Sequence, residues 1–254
     1  ITWIHVDYKA AGFISKFDKK CFSKFDKIVL VSEECKKTFN SEFPEFSDKS
    51  IVIENILTKD TINKLSEKDA DLKVFAENFN IITVCRISFA HKGLDRVVNA
   101  FNKLKQKRIQ HNLKWYVIGE GIDYEKMIRI VKEYNLEDVI FLLGAKTRPL
   151  PYVKIMDVFL LPSRYEGKPI AVTEAQMLGV PPVVTNYASA TEQIKSGFDG
   201  LIIDNTDDAV YGALCSLIEN PNVVKKWKNN LKKENFDNIQ EIEKVYKIIE
   251  DNNE

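Results

Sequence analysis

Two glutamates, Glu166 and Glu174, stand eight positions apart in "LLPSRYEGKPIAVTEAQMLGVPPVV", residues 160–184. A carboxylate is an acceptor for hydroxyl donors, so a pair at this spacing suits a ligand rich in hydroxyls. Pro169 lies between them and fits the first turn of a helix, where its missing N–H would be unpaired anyway. The start of that helix is a place for an anion, because free N–H groups and the helix dipole both face it. Glu174, one turn inside, is placed to accept from vicinal hydroxyls such as those of a ribose. Glu166, in the loop before, is placed to grip a second sugar. A phosphate between them would meet the backbone N–H groups of Gly167–Ile170. The same residues also suit a capped surface helix with incidental glutamates, and the stretch alone leaves both readings open.

A second stretch, "CRISFAHKGLDRVV" from Cys85, puts Arg86 directly after an apolar run and Lys92 six positions on. Two cations at a strand end can neutralise a diphosphate, arginine as a fork and lysine as a point charge. Taken alone, the motif is better read as two solvated surface cations. "VIGEGIDYEKM" carries Gly119 and Gly121, a G-x-G without its third glycine, which a tight β–α turn explains as well as a dinucleotide does. "DAD" at 69–71 has the spacing of a metal-binding pair. It sits in a polar segment rather than after an apolar strand, and reads as solvated. His91 and His111 carry no specific argument.

These residues need elements to hold them. Apolar runs at Ile1–Val6, Lys27–Val31 and Ser50–Ile53 predict three strands, divided by lysine-rich segments. Residues 58–80 are polar and strand-poor, as expected of a linker or hinge. From Ile81 the pattern is regular: "IITVC", "LKWYVIG", "VIFLL", "DVFLLP", "PPVVT" and "GLIID" read as strands alternating with helices. One helix shows Leu94, Val97, Val98, Phe101 and Leu104 on one face, and the next shows Tyr124, Met127, Ile128 and Val131. The fold class expected is α/β, a doubly wound parallel sheet covered on both faces. Ligands of such sheets bind beyond the carboxyl ends of the strands, where strand order reverses. The division expected is 1–57, the last part of a first lobe; 58–80, the linker; 81–237, a complete second lobe; and 238–254, a terminal helix without an apolar anchor.

The chain of 254 residues has formal net charge +0, so no overall field points to nucleic acid, and none is expected as a partner. The four cysteines are scattered without a C-x-x-C pair, which argues against zinc or a disulfide framework and for a reducing cytoplasm. No apolar run approaches the about 20 residues that span a bilayer. The chain opens directly in a strand-like stretch, and an N-terminal segment of the same chain is expected to precede it. In "VVKKWKNNLKK", Val224, Trp227 and Leu231 fall at helical spacing among lysines. The stripe suits packing on the second lobe, or peripheral contact with an anionic membrane at its inner face.

In this order the motifs resemble those of the retaining glycosyltransferases of family 4, built on the two-lobed GT-B fold. "WIHVD", "KIVLVS", "IVIEN", "CRISFAHKGLDRVV", "YVIGEG", "FLLGAK" and "GFDGLIID" carry the likeness, together with the Glu166-to-Glu174 element. The resemblance implies a complete C-terminal Rossmann-like lobe and the last part of an N-terminal one. It implies transfer of a sugar from a nucleotide sugar, a UDP-sugar by family frequency, to a glycan or lipid-linked acceptor, as in bacterial surface polysaccharide synthesis. No cofactor or metal is then expected. Arg86 and Lys92 match the diphosphate-holding residues, Glu174 the ribose-binding carboxylate, and Glu166 the carboxylate facing the transferred sugar. Gly167, Lys168, Pro169 and Ile170 would line sugar and phosphate through backbone groups. Gly144, Ala145 and Lys146 stand where the base is usually held, and His5 matches a first-lobe histidine beside donor sugar and acceptor. Cys85 and Ala188–Ser189 depart from the family pattern, which usually has glycine there. A non-catalytic nucleotide-binding module and another GT-B sugar-phosphate enzyme are the alternatives.

Overall fold

The computed structural model describes residues 1–12 and 15–250. Among these residues nine parallel strands form two sheets. The first has β1 (Thr2–Ile4), β2 (Ile28–Leu30) and β3 (Ser50–Val52) in the order β1-β2-β3. The second contains β4 (Phe79–Val84), β5 (Leu113–Ile118), β6 (Ile140–Leu142), β7 (Val158–Leu161), β8 (Pro182–Thr185) and β9 (Leu201–Ile203). Its order is β6-β5-β4-β7-β8-β9, so the chain builds outward from β4 in one direction and, after β6, returns to build in the other. Strand order therefore reverses between β4 and β7, which opens a crevice at their carboxyl ends.

Apolar side chains point to both faces of this sheet. Ile81 and Trp115 join one core with the helices Leu94–Gln106 and Asp207–Glu219; Ile82 and Tyr116, their chain neighbours, join the other with the helix Ile170–Met177. Alternation with apolar residues on both sides is what a doubly covered parallel sheet requires. The expected face Leu94, Val97, Val98, Phe101 and Leu104 is buried throughout. In the helix Tyr124–Glu133 the inward residues are Tyr124, Met127, Ile130 and Val131, and Ile128 stands outside that core.

Three readings from sequence change. The first strand of the second lobe starts at Phe79, inside the expected linker. The linker also holds a helix, Lys59–Leu65, capped by Thr58 and anchored through Ile62 on Leu150 and Met177; Ala70, Leu72 and Val74 pack on the second lobe. The terminal helix does have an apolar anchor. Ile248 is buried on Val29 and Ile53 beside Val245, so the chain returns to the first sheet at its end. Asn238 secures the crossing, accepting from Leu57 N–H and donating to Asn55 O.

The stripe Val224, Trp227 and Leu231 is buried, and Trp227 Nε1 donates to Gly197 O at 3.1 Å. Packing claims it, and it is not free to enter a membrane. Among the described residues no helix is long and apolar enough to cross one.

Candidate functional site

Two loops meet at the reversal point. The loop after β4 carries Arg86 and then a short helix, Phe89–Lys92, whose first N–H is capped by Asp123 Oδ2 at 2.7 Å. Gly119 and Gly121 let the loop after β5 lie against it. A Cβ on Gly119 would come within 1.9 Å of Cys85 O, and one on Gly121 within 2.2 Å of Ile87 O. That close backbone packing accounts for the G-x-G pattern. Gly93 ends the short helix at φ +65°, and a Cβ there would meet Pro162 O, in the loop after β7, at 2.2 Å.

The loop after β7 carries Glu166, only 6% exposed. Its Oε1 accepts from Lys92 Nζ at 2.6 Å and from Ser163 Oγ at 2.5 Å. Its Oε2 has no hydrogen-bond donor among the described residues and lies 3.9 Å from His91 Nε2. The His91 ring stacks on Tyr165, centroids 4.3 Å apart and planes 9° from parallel. Burial first, and then the Lys92 ammonium, hold the His91 imidazole below its usual range. Arg86 is exposed and has no hydrogen-bond or ion-pair partner among the described residues, so its fork is free for a ligand.

After Glu166 the chain is held by both lobes. Gly167 touches the first lobe, since a Cβ on it would come within 2.3 Å of His5 O. Its carbonyl accepts from Ser189 Oγ. Lys168 Nζ lies 2.5 Å from Glu54 Oε1, and Asn55 Nδ2 donates to Lys168 O at 3.3 Å, both partners following β3. Pro169 takes the N-cap position at ψ 117° and the helix runs Ile170–Met177, so the N–H groups of Ile170 and Ala171 have no acceptor within the helix. Gly179 stops it at φ +75°.

His5, Arg86, Lys92, Glu166, Lys168, Pro169 and Ile170 line one open cleft of about 440 Å³. Cys85 lines it too, its thiol pushed up to about 12 by burial. Glu174 is one turn behind the cleft, without a hydrogen-bond or ion-pair partner among the described residues, and burial raises its carboxyl above the ordinary range. Gly144, Ala145 and Lys146 follow β6 and do not line the cleft. Gly144 O accepts from Gly119 N–H at 2.9 Å, while Lys146 Nζ lies 3.7 Å from Asp71 and 5.3 Å from the centre of the Tyr152 ring. Asp69 and Asp71 are exposed, as solvated carboxylates should be.

Several contributors carry no sequence signal of their own. His91 reaches Glu166 only through the meeting of two loops, whereas Ser163 stands three residues before it in the same loop. Glu192 sits at the lobe boundary, its carboxylate accepting from Glu33 N–H at 3.2 Å and Glu34 N–H at 2.8 Å, the start of the first-lobe helix Glu33–Glu42. A carboxylate there satisfies orphan donors and meets the positive end of the dipole.

Two parallel-sheet lobes facing each other over a basic cleft at a reversal point define a two-lobed α/β protein of the GT-B kind. The chain belongs to the family of glycosyl transferases group 1, whose model matches residues 66–234. It is 28% identical over 229 residues to an uncharacterized glycosyltransferase of Haemophilus influenzae, covering 87% of this chain and 60% of that one. It is 27% identical over 218 residues to the UDP-Gal:alpha-D-GlcNAc-diphosphoundecaprenol alpha-1,3-galactosyltransferase of Escherichia coli, covering 78% and 56%. In structure it is similar to Anabaena HepE, solved with UDP-glucose, at a TM-score of 0.80 and 16% identity over 98% of this chain and 71% of that one. TarM of S. aureus matches at 0.75 and 18% identity over 96% and 48%. The chain spans about half the length of the curated relatives it matches, 43% and 60% for two of them.

Proposed function

We propose that this chain provides the donor side of a retaining glycosyltransferase that takes a UDP-sugar and serves a glycan or lipid-linked acceptor in surface polysaccharide assembly. The observation that carries the reading is the convergence of Arg86, Lys92 and the Ile170 helix start on one cleft, with the Glu166 carboxylate in the same wall. As the bond from the sugar C1 to the diphosphate breaks, negative charge grows on the leaving phosphate and positive charge on the sugar. Fixed donors and cations at the phosphate supply the stabilisation, without a metal. Glu166 Oε2, free of hydrogen-bond donors among the described residues, orients sugar hydroxyls, while Oε1 stays on Lys92 and Ser163. His5 faces the same cleft from the first lobe, where acceptor and sugar would meet. Glu174 accepts from the ribose, and Gly144–Lys146 border the base.

Calorimetric titration with UDP, uridine and UDP-sugars tests this. UDP is expected to bind much more tightly than uridine, and Arg86→Ala with Lys92→Ala is expected to abolish that margin. A chain with no affinity for any nucleotide ends the reading. For turnover, the anomeric configuration of the product decides retention, and activity is expected to persist in a chelator.

A further inference from the structure

Arg164 lies between Ser163 and Glu166 and is engaged on every side. Its guanidinium meets Asp95 as a fork, NH1 to Oδ1 at 2.9 Å and NH2 to Oδ2 at 2.8 Å. NH1 also donates to Phe89 O, in the short helix that ends with Lys92. Its backbone N–H donates to His91 O at 2.8 Å, and its carbonyl accepts from Asn205 Nδ2 at 2.7 Å. Asn205 is held in turn, its Oδ1 accepting from Arg96 NH1 at 2.5 Å, while Arg96 Nε lies 3.0 Å from Asp207. The loops after β4, β7 and β9 are thus stitched together through one residue that touches neither end of the cleft.

We propose that Arg164 and Asp95 are a positioning pair that sets the distance between Lys92 and Glu166, and so the grip of the site on a diphosphate. The diphosphate part rests on the function proposed above; the positioning part does not. Three contacts from one planar head group need the arginine fork, and lysine, a single point charge, cannot make them together. Without them the segment 89–92 is held on the β7 loop by Gly93 packing on Pro162, one backbone bond from Arg164, the His91 ring stacked on Tyr165 and the Lys92 pair itself. These contacts fix its spacing less tightly than the fork does. Lys92 is then free to drift from the carboxylate that pairs with it. A charge-assisted pair weakens steeply with such drift, whereas a nucleoside bound elsewhere in the cleft does not sense it.

Amine acetylation read by mass spectrometry tests positioning without any ligand. Lys92 and Lys168 serve as a matched pair, their side chains 15% and 12% exposed and each bonded to a glutamate. In Arg164→Gln and in Asp95→Asn, Lys92 is expected to react several-fold faster while Lys168 keeps its wild-type rate, with Arg164→Lys in between. An unchanged Lys92 rate, or Lys92 and Lys168 rising together as in general loosening, overturns the proposal. In the binding arm UDP is expected to weaken roughly tenfold in either variant, with uridine unaffected. Equal losses for UDP and uridine overturn the diphosphate part. A wild-type chain that ignores UDP overturns the nucleotide reading itself, and the lysine rates still decide whether the pair positions the site.

Discussion

Lys92 Nζ stands 2.6 Å from Glu166 Oε1, although 74 residues separate the two in the chain. One comes from the loop after β4 and the other from the loop after β7, the two sides of the strand-order reversal. The pair joins the cation proposed for the leaving phosphate to the carboxylate proposed for the sugar. Moving either charge therefore changes the setting of the other.

Lys92→Ala leaves a carboxylate that is 7% exposed with Ser163 Oγ as its remaining donor among the described residues. Breaking a buried pair costs about 3 kcal/mol at the lower end of the usual range, and the Ser163 bond argues for that end. Arg86→Ala removes an exposed cation without a hydrogen-bond or ion-pair partner among the described residues and should cost within about 0.5 kcal/mol. Denaturant melts of the two variants are expected to differ accordingly, while UDP affinity falls in both. Equal stability losses would show that the pair is not buried as described.

Two glycines separate backbone strain from collision. Gly93 and Gly179 both have positive φ, at +65° and +75°. A Cβ on Gly179 meets nothing within 4 Å among the described residues, so Gly179→Ala carries only the left-handed penalty of about 1–2 kcal/mol. Gly93→Ala adds contact with Pro162 O and is expected to lower the melting temperature clearly further. Gly167→Ala, aimed at His5 O across the lobes, is expected to enlarge the radius of gyration in solution scattering.

Glu174 links binding to pH. Burial raises its carboxyl, so the folded chain holds that proton more tightly than the unfolded chain does. Stability therefore falls as pH rises from about 4.3, the unfolded value, through the raised folded one. Glu174→Gln removes the burden and is expected to melt higher than wild type at pH 8, with the gap closing near pH 4. The same variant should bind a nucleotide sugar more weakly by about 1.5–3 kcal/mol, the worth of a hydrogen bond to a charged group.

His91 acts in the opposite pH direction. Lys92 and Arg86 disfavour its protonation and the Glu166 carboxylate favours it, with burial the largest influence and the net effect a lowered value. Below about pH 6.5 the unfolded chain takes up a proton that the folded ring resists, so stability is lost as pH falls through that value. His91→Phe keeps the stacking on Tyr165 and removes the proton site. Its melting temperature is expected to decline less between pH 7 and pH 5; His111, held low by its own burial, remains as background in both proteins.

The strand and helix pattern of the second lobe was legible because each strand is apolar on both faces and each helix on one. Burial of those faces is a local property of residue order, as Ile81 and Ile82 on opposite sides of β4 illustrate. Arg86, Lys92 and Glu166 could be singled out for the same kind of reason: they fall just past strand ends, and all strand ends of a parallel sheet point one way. The G-x-G pair shows the limit, since its glycines answer to the carbonyls of Cys85 and Ile87, which no spacing reveals.

What the amino-acid order alone determined was the alternation of elements, and with it the edge of the sheet on which polar groups would gather. Only the tertiary structure decided which of those groups touch: that Lys92 meets Glu166, that Arg164 stitches three loops, that Ile248 returns to the first lobe. Such contacts depend on strand order and lobe placement, which arise from packing many distant residues at once and leave no periodic trace along the chain.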